Sequence, residues 1–181
     1  MRPLIESIRE IEANQETLRK RPYGVIEAVK GQFVRVQLRP WPKYASLLEA
    51  HWLQAMKSKR LEQDVCRIFY NQPMGHRNYL TLSYVESSLN TQLKTCYKAL
   101  DVLTQIAFIK RSDAILAEVT NNRISDRFMI RRGWERHMED KRKRHWIKRF
   151  YGTYPESAKA FMADVVSKEC SSEQNDAAIN S

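Results

Sequence analysis

The chain has 181 residues, 43% of them hydrophobic and 29% charged, which is the composition of one globular domain and excludes a wholly disordered segment. Its net charge of +10 favours polyanionic partners such as nucleic acid or phosphorylated ligands. The most apolar run, 99–109, is broken by Asp101, Thr104 and Gln105 and is too short for a membrane span, and the N-terminus is charged and lacks the apolar segment of a secretory signal. A cytoplasmic protein with no membrane partner is expected.

In chain order, Leu4, Ile5, Ile8 and Ile11 recur at helical spacing and predict an amphipathic helix over 3–20, ended by Pro22 and Gly24. Residues 1–22 therefore form an extra N-terminal helix, packed on the domain or preceding it. Two runs, GVIEAV and QFVRVQL, flank Lys30-Gly31 and read as a hairpin closed off by Pro40 and Pro42. A helix follows from Pro42 to about Arg60, with His51 and Trp52 on its apolar stripe, where a packed histidine is the simpler reading than a catalytic one. Residues 65–70 and 78–86 are strands, the second with Leu80, Leu82 and Tyr84 on one face.

The clearest helix runs over 91–110, with Leu93, Tyr97, Leu100, Thr104 and Ala107 as its stripe and Cys96 and Leu103 beside it. AILAEV (114–119) reads as a central strand. A helix over 124–132 is closed by Gly133, followed by two strands around the turn MEDKRK and a short helix over 158–166. The domain proper is 23–166, and 167–181 is a polar, disordered tail. Helices alternating with strands give an α/β fold with a central mixed sheet.

Cys66, Cys96 and Cys170 are too few and too scattered for a disulfide framework, and neither they nor the four histidines have zinc spacing, so no metal is expected. Between Arg123 and Phe150 eleven Lys/Arg stand against four acids, which concentrates most of the positive excess in one region.

NRISDRFMIRRGW (122–134), after an apolar strand and opening a helix, carries the most information. It resembles the end of the GNAT acyltransferase domain: Asn122, Ser125, Phe128, Gly133 and Trp134 fall at that family's positions. The long helix before strand 114–119 and the hairpin after Trp134 keep its order. Local physics asks for the same residues. Asn122 can cap the helix, Ser125 is small enough for close packing, Gly133 supplies a left-handed cap and Trp134 fills the core. RHWIKRFYG, with ISDR, also resembles the ending of certain planctomycete proteins.

The resemblance covers about 79–151. It implies a GNAT-like central mixed sheet flanked by helices, with acetyl-coenzyme A or another acyl-coenzyme A as cofactor and an amine acceptor as partner. Ser88, Asn90 and Thr91 would then face the cofactor phosphates, Asn122 the pantetheine arm, and Ser125 the same site. Glu86 is either the base that takes the amine proton or an ordinary strand-end carboxylate.

Two positions depart from the family. Its proton-donating Tyr falls at Met129, which has no proton to give. Its Gly-rich phosphate turn falls at 86–91, which has no glycine. Both an acyl-coenzyme A-dependent N-acyltransferase and a catalytically degenerate relative fit this pattern. The other reading is a non-catalytic basic module that binds nucleic acid or another acidic partner through Arg131, Arg132, Lys141, Arg142, Lys143 and Arg144.

Overall fold

The computed structural model describes residues 5–39, 63–119, 124–139 (the backbone alone for Glu139) and 144–159. The expected helix over 42–60 with His51, the loop residue Asn122, the hairpin tip Lys141–Lys143, Cys170, the rest of the 158–166 helix beyond 159 and the tail lie outside these residues. The described part is a mixed α/β domain with an eight-stranded sheet flanked by helices.

The strands are β1 (Glu6–Ile8), β2 (Tyr23–Val29), β3 (Gln32–Arg39), β4 (Val65–Asn71), β5 (Tyr79–Ser87), β6 (Ala114–Val119), β7 (Glu135–Glu139) and β8 (Arg144–Arg149). The helices are α1 (Gln15–Lys20), α2 (Leu93–Ile109) and α3 (Asp126–Arg131). The sheet order is β1-β3-β2-β4-β5-β6-β8-β7. Neighbours run antiparallel except β5 and β6, which are parallel because α2 carries the chain back between them.

The N-terminal segment differs from the expected single helix. Glu6–Ile8 pairs with Leu38, Gln37 and Val36 at the sheet edge, and only Gln15–Lys20 is α-helical. Ile8, Ile11 and Leu18 all enter the core. Their spacing satisfies a strand followed by a helix as well as it satisfies one helix, and the open edge of β3 decides in favour of the strand.

α2 packs across β2, β3 and β4. Its buried residues are Thr95, Ala99, Val102, Leu103, Thr104, Ile106, Ala107 and Ile109, while Leu93 is exposed. Of the expected stripe, Thr104 and Ala107 are buried, Tyr97 and Leu100 are half-buried and only Leu93 is exposed. Tyr97 turns sideways and stacks on Phe128 of α3, with ring centroids 5.6 Å apart.

On the sheet, Ile26, Ala28, Cys66, Ile68 and Leu80 are buried in the core cluster with α2. Gly24 is required there: a Cβ would meet the Tyr70 ring at 2.5–2.6 Å. After β6, Ser125 caps α3 by accepting the Phe128 N–H at 3.2 Å. Gly133 closes the helix region at φ +75° and Trp134 is buried behind it.

Candidate functional site

β5 and β6 pair only as far as Leu82 and Ala117, although β5 runs on to Ser87 and β6 to Val119. A bulge in β5 coincides with the parting. Across β4, Phe69 faces Tyr84 and Tyr70 faces Leu82, which leaves Ser83 as the extra residue in β5. Past the bulge β5 no longer pairs with β6, so the ends of the two strands part as a wedge. It also breaks the expected alternation: Leu80 is buried, whereas Tyr84 is 57% exposed and tilts against Phe69.

The candidate base Glu86 sits at the end of β5, half-buried, 3.5 Å from Arg67 Nη1. It ends a row of charges across four strands. Arg35 Nε donates to Glu27 at 2.7 Å, and Arg67 donates to Glu27 at 2.6 and 3.0 Å and then reaches Glu86. Burial pushes the Glu27 carboxyl up, but Arg67 and Arg35 outweigh it and hold it below the usual range. Glu86 is therefore tied to a guanidinium that already serves another carboxylate.

The turn after β5 is spoken for from within. The Ser88 hydroxyl donates to the Gln63 carbonyl and accepts from Val65 N–H at 3.3 Å. Thr91 O–H donates to the Val65 carbonyl at 2.7 Å, with its oxygen 2.7 Å from Ser88 Oγ. Both hydroxyls fasten the turn to the start of β4. Asn90 is exposed, and Ser125 spends its hydroxyl capping α3.

Asp64, which the sequence reading passed over, occupies the start of α2. Its carboxylate accepts the Gln92 N–H at 2.9 Å and the Thr95 O–H at 2.8 Å, and Thr95 Oγ1 in turn accepts the Gly31 N–H at 2.8 Å. A helix N-terminus is where an anionic ligand is usually met by backbone N–H groups. Here the chain supplies its own anion.

Met129, at the position of the family's proton donor, is buried in the core. Much of the described basic stretch is paired internally. Arg136 and Arg144 both donate to Asp126, at 2.5 and 2.9 Å, Arg149 pairs with Glu135, and Arg132 lies 3.8 Å from Asp101. Arg136 and Arg144 brace α3 to the hairpin, Arg149 ties the two hairpin strands together, and Arg132 leans toward α2. Glu118 is exposed on β6 opposite His145. Among the described residues no group of three or more His, Cys, Asp or Glu is placed to hold a metal, and no helix is long and apolar enough to cross a membrane.

No family model and no curated protein matches the chain. Among solved structures it is similar to a nourseothricin acetyltransferase, at 11% identity, over 80% of this chain and 96% of that one, with a TM-score of 0.34. A likeness that distant assigns no role to any residue.

Proposed function

We propose that this chain is a catalytically degenerate GNAT-like domain, one that takes the extended, amide-bearing arm of an acyl-coenzyme A into the wedge between β5 and β6 but binds the coenzyme weakly. The observation that carries this reading is the parting of β5 from β6 at the Ser83 bulge. Strand backbone left without a neighbour can pair with an extended ligand, because its N–H and C=O groups still need partners.

The fit is divided. The wedge suits a pantetheine arm, whereas the start of α2 does not suit a pyrophosphate. Asp64 holds that N-terminus, Ser88 and Thr91 are turned into β4, and no glycine lets the backbone approach. The acid–base machinery is equally reduced, with methionine at position 129 and Glu86 ion-paired to Arg67. Within this reading an amine acceptor would approach from the Glu86 side, and slow transfer would rest on positioning alone.

The test is a titration of acetyl-coenzyme A and of S-acetylpantetheine, which lacks the nucleotide, against the protein and against Asp64→Asn. Removing one like charge from the pyrophosphate seat should tighten acetyl-coenzyme A roughly tenfold, about 1.4 kcal/mol, and leave S-acetylpantetheine unchanged. No binding of either thioester at millimolar concentration sinks the proposal.

A further inference from the structure

Farther along α2, on the side facing α3 and β8, the described residues line an open pocket of about 180 Å³. Its polar lining is Asp101 and Thr104 of α2, Arg131 at the end of α3, Arg132 just after it, Lys148 of β8 and Ser157 beyond the sheet. Three cations against one carboxylate leave two positive charges around a space smaller than the 300 Å³ or so at which drug-sized sites begin.

Arg132 is held in place without being satisfied. Its guanidinium carbon lies 3.7 Å above the centre of the Tyr97 ring, and Tyr97 is itself stacked on Phe128. Nε and Nη2 are buried with no hydrogen-bond partner. Asp101 at 3.8 Å is near enough to attract and too far to accept a hydrogen bond. Lys148 reaches Thr104 Oγ1 only at 3.4 Å, and burial lowers its pKa, with Asp101 opposing and Arg132 adding to the shift. Arg132 and Lys148 are each half-buried with donors short of acceptors, and an ionised oxygen ligand offers them charge-assisted hydrogen bonds.

We propose that this pocket binds a small phosphate-class dianion, as free phosphate or as a phosphomonoester, bridged between the Arg132 guanidinium and the Lys148 ammonium, while the Thr104 hydroxyl keeps its own bond to the Leu100 carbonyl at 3.0 Å. The flat guanidinium, fixed by its aromatic stack, offers paired N–H groups to two oxygens, and the ammonium takes a third. Asp101 repels the ligand and keeps its affinity modest. The site lies roughly 14 Å along α2 from Thr95, at the helical rise of about 1.5 Å per residue, so it is separate from the start of the helix and does not rest on the acyl-thioester reading.

The test uses the full chain. Inorganic phosphate is titrated by calorimetry and by thermal unfolding, with sodium chloride at matched ionic strength as the reference. Saturable binding in the millimolar range or tighter is expected. Lys148→Met should weaken it at least tenfold, and Asp101→Asn should tighten it several-fold. The second variant loses only a repulsive carboxylate, so it keeps the proposal testable if the first folds poorly. Glycerol 3-phosphate is run alongside. Tighter binding than phosphate assigns the source to an ester, and equal or weaker binding assigns it to the free ion. A response no larger than that of chloride, or phosphate binding unchanged in Asp101→Asn and in folded Lys148→Met, overturns the proposal.

Discussion

At its first turn α2 meets Asp64, an acid from the approach to β4, where the helix dipole and the free N–H groups would otherwise attract an anionic ligand. Along the same helix, where the backbone offers nothing to an anion, Asp101 and Thr104 share a pocket with Arg132 and Lys148. In the first region the backbone favours negative charge and a side chain has taken the place. In the second the side chains favour it while the backbone is indifferent. The difference is one of donors: those at the start of α2 have a partner in Asp64, whereas two of Arg132 have none.

Removing Asp64 should break the contrast most severely. Asp64→Ala deprives Gln92 N–H and the Thr95 hydroxyl of their acceptor and should cost about 1–2 kcal/mol, typical of a lost helix cap. For a chain of this size that lowers Tm by several degrees, read in a thermal melt. An unchanged Tm would mean that Asp64 is not the cap.

A smaller effect is expected at the other end of α2. Lys110 donates to the carbonyls of Arg19 and Arg21 at 3.3 and 2.8 Å and to Gln72 Oε1 at 3.2 Å, and burial pulls its pKa down to about 8. Between that value and the usual lysine range the unfolded chain holds a proton that the folded chain has released. The contribution of Lys110 to stability should therefore rise with pH across this window and level off below it. Urea unfolding at pH about 8 and about 10 should show the rise, and Lys110→Met should flatten it.

The mildest probe leaves stability untouched. The Cys66 thiol is pushed up by its hydrogen bond to Cys96 and then by burial, while half-buried Cys96 is lowered by the same bond. Under native conditions iodoacetamide should modify Cys96 before Cys66 and reach Cys66 only on unfolding, as peptide mapping would report. Equal labelling of both would show that the start of α2 opens readily.

Much of the C-terminal half was legible because its signals are local. Gly133 had to take a left-handed turn, Trp134 had to be buried after it, and the apolar run of β6 had to lie inside the sheet. The N-terminal segment differs from its expected helix because the three-residue spacing of Ile5, Ile8 and Ile11 carries no trace of the distant β3 edge that pairs with Glu6–Ile8. Ser125 was singled out on resemblance, yet its hydroxyl serves as the cap of α3. Asp64 left no mark in the sequence because its partners, Gln92 and Thr95, lie across a whole hairpin. The stacking of Arg132 on Tyr97 is hidden for the same reason: nothing local to either residue announces the other.

The row Arg35–Glu27–Arg67–Glu86 has a consequence for how the strands find their alignment. A slip of β4 against β2 by one residue would turn its apolar face outward, and hydrophobic burial already forbids it. A slip by two residues keeps every apolar side chain on the correct face, so burial alone is blind to it. Such a slip would bring Val65 or Phe69 opposite Glu27 in place of Arg67, and leave the carboxylate set against carbon. The charge row thus acts as a proofreader of registry, rejecting the one class of misfolded sheet that oiliness cannot detect.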